Sequence, residues 1–186
     1  MSDAEDRALL SAHVAGDTEA FGRLFARHSD RLWSLAVRTL GSPHDAEEVV
    51  QEAMLSAFRR ADGFRGQSAV LTWLHRIVVN ACYDRLRHDR VRPSVPLSDE
   101  TAARLESPAP GPEQVALAAD TATEVGRALA TLSVDQRTAL LLVDGYGYSM
   151  EEAAGILGCA PGTVKSRCSR GRRTLAPLLA HLVRTG

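Results

Sequence analysis

Apolar residues recur at intervals of three and four along most of the chain, which is the period of a helix with one buried face. Phe21, Leu24, Leu32 and Leu35 show this spacing early in the chain, and an apolar run at 139–143 belongs to a later helix. No segment alternates apolar and polar positions for long enough to predict a strand. The pattern therefore predicts an all-α fold.

Between the two helical regions lies a segment of different composition. Five of the eight prolines fall within residues 93–112, among acids and small residues and with few large apolar ones. Such a composition is typical of an extended connector without a core. We predict two small helical domains, residues 1–92 and 113–186, joined by a flexible linker over 93–112, with the second domain opening on a helix from about Glu113.

Start and stop signals divide the first domain into successive helices. One helix ends at Gly41, and Ser42 followed by Pro43 predicts the N-terminus of the next, which runs to about Arg60. A third helix is predicted from about 68 to 87. It follows a loop that contains two glycines.

The second domain ends in the pattern of a helix-turn-helix. Ser149 and Glu152 have the spacing of a capping box, Gly158 ends the short helix that follows, and Pro161 begins the final helix. A short helix, a tight turn and a basic last helix over residues 149–175 are typical of this DNA-binding motif.

The final helix has an apolar face and a cationic one. Val164, Cys168 and Gly171 share the apolar face, which we assign to packing. The opposite side carries hydroxyls and cations suited to base edges and phosphates in a major groove. The candidate DNA-contacting residues are Thr163, Lys165, Ser166, Ser169, Arg170 and Arg173. The alternative is a solvated basic face on an ordinary helical hairpin, because charge runs on helices are usually just exposed.

The third helix of the first domain also has two faces. Leu74 and Val78 lie on the packing side, whereas aromatic, amide and arginine side chains recur on the other. Such a combination binds single-stranded nucleic acid, since rings stack on bases and an amide reads a base edge. With the preceding loop, the candidate residues are Phe64, Arg65, Trp73, Arg76, Asn80 and Arg87. Alternatively, Trp73 and Phe64 simply close the small core, and spacing alone favours neither interpretation.

The helix that Pro43 opens has an acidic outer face centred on a leucine. This face comprises Asp45, Glu48, Gln51, Glu52 and Leu55. An exposed leucine among acids suits a basic protein partner, although spacing alone favours a solvated face. We expect Phe58 to lie on the inward side of this helix.

Metal-dependent chemistry is the weakest interpretation. Asp45, Glu48 and Glu52 could hold divalent metals for phosphodiester cleavage, but one helical face presents carboxylates in a row instead of converging on an ion. We expect His75 to be ordinary helix surface. The three cysteines form no Cys-x-x-Cys pair, which disfavours disulfides and zinc. We therefore expect no metal, no cofactor and no enzymatic activity.

The distribution of charged and apolar residues bears on the cellular location of the protein. The net charge is −1, yet cations concentrate at 85–92 and 161–173 while acids concentrate elsewhere, so the molecule is polarised. The N-terminus is acidic, unlike a signal peptide, and no stretch approaches the roughly 20 apolar residues that span a bilayer. We expect a soluble protein of the cytoplasm with no direct membrane insertion.

These residues resemble those of extracytoplasmic-function (ECF) sigma factors of bacterial RNA polymerase, and most of all actinobacterial members of the M type. The similarity covers both domains. The similar segments are DAEEVVQEAMLSAFRR (45–60), FRGQSAVLTWLHRIVVNACYDRLR (64–87) and GYSMEEAAGILGCAPGTVKSRCSRGRRTL (147–175).

The resemblance implies that the first domain is sigma region 2 and the second is sigma region 4. Residues 45–55 match the surface that docks on the clamp helices of the largest polymerase subunit. The candidate residues between 64 and 87 match the surface that captures the melted −10 element, and those between 163 and 173 match the reader of the duplex −35 element. The implied partners are core RNA polymerase, through its β and β′ subunits, promoter DNA, and an anti-sigma factor that is often membrane-anchored, with no small-molecule substrate.

Two positions depart from the family pattern. Met150 stands where many relatives carry a phosphate-binding residue, and Gly171 is expected to loosen the last helix by about 1 kcal/mol relative to alanine. The competing hypothesis is a self-sufficient repressor or activator that uses only the helix-turn-helix. It predicts polymerase-independent duplex binding as a dimer, but no heptad-type dimerisation helix is present in the sequence.

Overall fold

The structure, a computed structural model, describes residues 2–91 and 123–183. Within these ranges the chain is helical and contains no strand, which confirms the predicted all-α fold. The chain divides into two compact units, one built from the helices before residue 92 and the other built mainly from those after residue 122. The predicted linker and the predicted helix start at Glu113 lie outside the described residues.

Four helices lie within residues 2–91, and their apolar faces meet in a single core. Leu24, Val49 and Leu74 are almost completely buried there. A short 3-10 turn, Ala61–Gly63, precedes the loop that leads into the last of the four. The helices are α1 (Asp3–Val14), α2 (Ala20–Leu40), α3 (Pro43–Arg59) and α4 (Val70–Val91).

Local signals set the end of α2 and the start of α3 as predicted. Gly41 follows α2 with φ +80°, a left-handed conformation that favours glycine. The Oγ of Ser42 accepts a hydrogen bond of 3.3 Å from the amide of Asp45 at the start of α3. At its C-terminus α4 continues to Val91, past the predicted end near residue 87.

Helix α1 was not identified in the sequence pattern, because polar side chains make much of its contact with the rest of the unit. Only Leu10 among its large apolar residues is fully buried. Asp6 is also buried, and its Oδ2 lies 2.8 Å from Nε2 of His28 on α2. Glu5 pairs with Arg27 nearby. Polar contacts of this kind follow no hydrophobic period.

The expectation that His75 is surface is wrong. Its side chain is 1% exposed, because α4 packs against α1, α2 and α3 and so buries more than one face. Burial and the positive charges of Arg31 and His28 lower the pKa of His75 to about 4. On the same helix, burial raises the pKa of the Cys82 thiol to about 12, and all three cysteines are free.

In the described range 123–183 the chain forms four more helices, most of which belong to the second unit. Leu142, Val164 and Cys168 are buried there. The helices are α5 (123–130), α6 (Val134–Leu140), α7 (Met150–Leu157) and α8 (Pro161–Val183), with a π-helical turn at Leu141–Gly145 after α6.

The predicted capping box before α7 is present in full. The amide of Ser149 donates to Oε2 of Glu152 at 2.9 Å, and the amide of Glu152 donates to Oγ of Ser149 at 3.1 Å. After α7, Gly158 has φ +63°, as expected for a glycine that ends a helix. These local interactions set the start and the end of α7.

Gly171 has a role that its helix propensity does not show. It lies where α8 packs against α6, and a Cβ at this position would be 2.6 Å from Cδ1 and 3.3 Å from Cγ of Leu140. Leu140 is itself buried. The glycine therefore allows the close approach of the two helices, and the expectation that it merely loosens α8 is incomplete.

We predict that the stability of the first unit decreases in acid through His75. The unfolded histidine has a pKa near 6.5 and the folded one near 4. The unfolded state therefore binds the proton first, so stability is complete above pH 6.5 and decreases as the pH falls towards 4, by up to about 3 kcal/mol. Urea unfolding between pH 7 and pH 4 should show a weaker pH dependence for His75→Gln than for the wild type. The same change at exposed His88 should leave the dependence unaltered, and equal slopes for all three proteins would contradict the prediction.

We predict that Gly171→Ala destabilises the second unit although alanine is the better helix former. Overpacking against Leu140 costs about 1–3 kcal/mol, which exceeds the gain in helix propensity of about 1 kcal/mol. Thermal unfolding should show a lower midpoint for this variant. Gly155→Ala in α7 is the matched control, because a Cβ there meets nothing within 4 Å, and it should be neutral or stabilising. A Gly171→Ala protein as stable as the Gly155→Ala protein would refute the steric argument.

Candidate functional site

The helix-turn-helix of the second unit presents the predicted cationic face to solvent. The opposite side of α8 is anchored by Val164 and Cys168, each with no exposed surface. Thr163 is half-buried. The residues of the face that are exposed are Gly162, Lys165, Ser166, Ser169, Arg170 and Arg173. The division of α8 into a packing face and a polar face is therefore as the periodicity predicts.

The cations of α8 fall into two groups. Arg167 donates to Oδ2 of Asp135 at 2.6 Å, and Arg172 donates to both oxygens of Asp144 at 2.6 and 3.0 Å. The hydrogen bonds that Arg172 donates to Asp144 raise the pKa of its guanidinium above the usual value. These two arginines fasten α8 to the segment before α7, so their charge is largely neutralised.

The other cations of α8 remain available to an anionic ligand. In the part of the chain that the structure describes, neither Lys165 nor Arg173 forms an ion pair. Arg170 donates only to the carbonyl and Oγ of Ser166, both at 3.3 Å. All three are among the residues predicted from the helical face.

An open groove lies where α7 meets the N-terminus of α8. Met150 and Lys165 are on its two sides, and the first amides of α8 are close by. A helix N-terminus favours anions through its unpaired amides and its dipole. The full lining is Met150, Glu151, Pro161, Gly162, Lys165, Ser169 and Arg172. The groove extends the cationic face towards α7.

In the first unit, the two aromatic residues of the candidate base pocket are in contact. The ring centroids of Phe64 and Trp73 are 5.4 Å apart, with the rings inclined at 56°. Both side chains are half-buried and pack against the core. The two alternative interpretations are thus not exclusive, since each ring closes the edge of the core and keeps a solvent-exposed part.

The polar members of this candidate surface differ in how they are held. Arg65, Arg76 and Asn80 are exposed. Arg87 is exposed as well, but it pairs with Asp84 one turn earlier on α4. The exposed arginines and amide lie beside the aromatic pair along the same helix and its preceding loop.

Two polar residues of α1 reach this loop, and no periodic pattern marks them. Arg7 donates from Nη2 to the carbonyl of Ser68 at 2.7 Å and from Nη1 to that of Gly66 at 3.3 Å. Asp3 accepts a hydrogen bond of 2.8 Å from the amide of Val70. These partners are 59 to 67 residues apart in sequence, so only the fold reveals them.

The acidic outer face of α3 divides into two parts. Arg85 of α4 donates 2.8 Å to Oε2 of Glu48 and also binds Asp45. Gln51 and Glu52 are exposed one turn further on. Leu55 is 56% exposed, as predicted. Arg85 therefore leaves a smaller surface around the leucine than the sequence pattern suggested.

Phe58 does not face the core as expected. It is 45% exposed, and Met54 takes the buried position instead. Its ring lies 4.3 Å from that of His13 and 5.3 Å from that of Phe21, measured between centroids. The end of α3 is therefore covered on one side only, by the C-terminus of α1 and the start of α2.

The metal interpretation finds no cluster to support it in the described ranges. No group of three histidine, cysteine or carboxylate side chains there could hold an ion. The guanidinium of Arg85 already binds two of the three carboxylates in question. None of the helices in 2–91 or 123–183 has the length and apolar character needed to cross a membrane.

Comparison with known proteins finds two family models that match separate parts of this chain. Residues 24–92 match the family model for Sigma-70 region 2, and residues 122–175 match that for Sigma-70, region 4. The chain is 50% identical over 186 residues to the ECF RNA polymerase sigma factor SigM of Mycobacterium tuberculosis, covering 97% of this chain and 86% of the relative. This agrees with the predicted resemblance to M-type members.

Two solved structures share the fold over most of their length. The sigma factor RpoE in complex with the anti-sigma factor NepR from Bartonella quintana superposes with a TM-score of 0.70 at 28% identity, covering 88% of this chain and 98% of that one. CnrH in complex with the cytosolic domain of CnrY gives a TM-score of 0.66 at 28% identity, with coverage of 95% and 98%. The chain therefore belongs to the ECF sigma factors of the sigma-70 family, which are transcription initiation factors.

Proposed function

We propose that this chain binds core RNA polymerase through α3 and directs initiation at promoters that its two units recognise. The observation that carries the proposal is Leu55, a large apolar side chain left 56% exposed beside Gln51 and Glu52 in the part that matches sigma region 2. A leucine in a polar, acidic surround has the features of a protein-docking anchor. Asp45 and Glu48 would contribute less, since Arg85 already binds both.

The first unit would capture the melted −10 element. Trp73 and Phe64 offer partly exposed rings, and stacking on a base contributes about 1–3 kcal/mol. Asn80 can read a base edge, while Arg65, Arg76 and Arg87 can contact the backbone. Arg87 would have to exchange its pairing with Asp84 for a phosphate.

The second unit would read the −35 element as duplex DNA. This part of the proposal is supported by the two groups of cations on α8. Arg167 and Arg172 pair with carboxylates, whereas the other three form no ion pair within the described residues. Lys165, Arg170 and Arg173 keep their charge for phosphates and guanine edges, and the short side chains of Thr163, Ser166 and Ser169 permit a close approach to the groove. The groove between α7 and the N-terminus of α8 lies next to these residues.

We further propose that an anti-sigma factor controls this chain in the bacterial cytoplasm. The anti-sigma control is supported by the similarity to the sigma factor RpoE, whose structure was solved in complex with the anti-sigma factor NepR. A partner of this type would compete with polymerase for exposed surfaces such as that around Leu55. Membrane anchorage of the partner, the domain boundaries and the linker at 93–112 stay predictions.

We expect Leu55→Asp to abolish initiation by removing the docking anchor. Core binding should weaken by at least about 2 kcal/mol, the loss expected for a buried interface hot spot. The measurement is run-off transcription from genomic fragments with purified core polymerase, together with the affinity for core. Leu178→Asp is the matched control, because this leucine of α8 is 43% exposed and lies outside the proposed docking surface.

Two results would contradict this assignment. One is a Leu55→Asp protein that binds core and initiates like the wild type. The other is a wild-type protein that shifts duplex probes alone and never supports initiation, which would favour the repressor hypothesis.

We expect Lys165→Ala and Arg170→Ala to weaken recognition of the −35 element. A lost base contact costs about 1–3 kcal/mol and relaxes specificity at one position, whereas a lost phosphate contact reduces the salt dependence of binding by about one counterion. Holoenzyme binding to duplex promoter fragments at several salt concentrations distinguishes the two. Arg127→Ala removes the same charge from an exposed position of α5 and should have little effect. Equal losses in all three variants would indicate a general charge effect and contradict the assignment.

A further inference from the structure

The loop between α3 and α4 is fastened by two residues of α1. Arg7 binds the carbonyls of Gly66 and Ser68 through separate nitrogens of its guanidinium. Its Nε is held at 2.6 Å by Oδ2 of Asp3. Oδ1 of the same carboxylate accepts from the amide of Val70 at 2.8 Å, in the first turn of α4. One ion pair thus fixes both the loop backbone and the start of the helix after it.

The same guanidinium lies over the ring of Phe64, with Cζ 5.6 Å from the ring centroid. Phe64 therefore has Arg7 as one neighbour and Trp73 as another. A cation this close to a ring face is attracted by its quadrupole. The orientation of the Phe64 ring thus depends on a residue 57 positions earlier in the sequence.

The loop geometry is adapted to this contact. Gly66 has φ +69°, and a Cβ there would lie 2.8 Å from Nη1 of Arg7.

The carboxylate of Asp3 is held in its ionised form. Partial burial acts to raise the pKa of Asp3, but the hydrogen bonds from Arg7 and from the amide of Val70 outweigh it, so the pKa lies below its usual value. The carboxylate therefore stays ionised and keeps the pair intact.

We propose that Asp3 and Arg7 are positioning residues for base capture, which hold the loop that contains Phe64 and Arg65 in the conformation that selects the unpaired base. This inference rests on the proposed −10 recognition. Neither residue needs to contact DNA. Their effect is preorganisation, since a recognition group displaced by about 1 Å can lose most of its contribution.

The test uses holoenzyme assembled from the full chain and core polymerase, and a pool of single-stranded oligonucleotides with randomised positions. The wild-type holoenzyme should enrich a class of sequences with a preferred base at one position. Arg7→Ala should lower the affinity for that class on the order of tenfold, the loss that corresponds to one stacked base, and should broaden the base preference at that position. Affinity for core and the midpoint of thermal unfolding should stay near wild-type values.

Three further variants separate positioning from simple stability. Glu5→Gln is the matched control, because it removes an ion pair of α1 with Arg27 and leaves the loop contacts in place. Arg7→Lys keeps the positive charge but loses the guanidinium that donates to two carbonyls at once. It should therefore retain only part of the wild-type selectivity. Gly66→Ala retains every α1 side chain but perturbs the loop directly, because a Cβ at φ +69° is strained and would lie 2.8 Å from Nη1 of Arg7, so it should lower selectivity as Arg7→Ala does.

The outcomes distinguish this inference from the proposed function. If the wild type enriches a sequence class and both Arg7→Ala and Gly66→Ala retain full selectivity, the positioning role is refuted while −10 recognition stands. The role is also refuted if affinity falls equally for every oligonucleotide, or if Glu5→Gln has the same effect as Arg7→Ala. If the wild-type holoenzyme enriches no sequence, −10 recognition by this surface fails, and the inference fails with it.

Discussion

The packing of α4 against three other helices is the constraint on which the first unit depends. Because α1, α2 and α3 all contact it, α4 buries Leu74 and Val78 and also His75, which a helix with one covered face would expose. What remains exposed is a narrow strip that includes Arg76 and Asn80. The surface proposed to bind DNA is therefore limited to the part of α4 and its preceding loop that the core leaves exposed.

Charged side chains divide between holding the fold together and remaining available to partners. Arg85 joins α4 to α3, and Arg167 and Arg172 join α8 to earlier parts of the second unit. Exposed ion pairs of this kind contribute little stability each, typically under 1 kcal/mol. Their larger effect is to fix helix geometry and to neutralise cations that would otherwise widen the basic surface. The net charge of −1 thus conceals a small set of cations on α8 that form no ion pair with any residue the structure describes.

Local signals made much of the fold predictable, whereas packing decided what was not. Ser42, Gly41 and the Ser149–Glu152 capping box act within a few residues, so sequence spacing reveals them. The exposed face of α8 follows directly from its period. The burial of His75 and the exposure of Phe58 depend instead on how many neighbours cover each helix, which no single helical period contains.

The same distinction explains which contacts near the candidate surfaces the sequence did not reveal. Arg7 acts through backbone carbonyls about sixty residues away, and Arg85 reaches acids on another helix. A contact between polar groups that are distant in sequence needs the tertiary structure to be seen. A periodic sequence pattern reveals which residues share one face of a helix. It does not reveal a side chain of one helix that holds a loop between two other helices.

The scarcity of free cations has a consequence for how the two units would work together. The salt-dependent part of DNA affinity scales with the number of phosphates neutralised. The three cations of α8 that form no ion pair within the described residues would therefore support only weak binding by the second unit alone. The base stacking proposed for the first unit would require a base already out of the duplex. Joining both to one polymerase converts the second encounter into an intramolecular one, with an effective concentration in the millimolar range for short tethers. On this argument specificity belongs to the assembly, because a few cations on α8 hold duplex DNA only weakly and base stacking needs a strand that is already open.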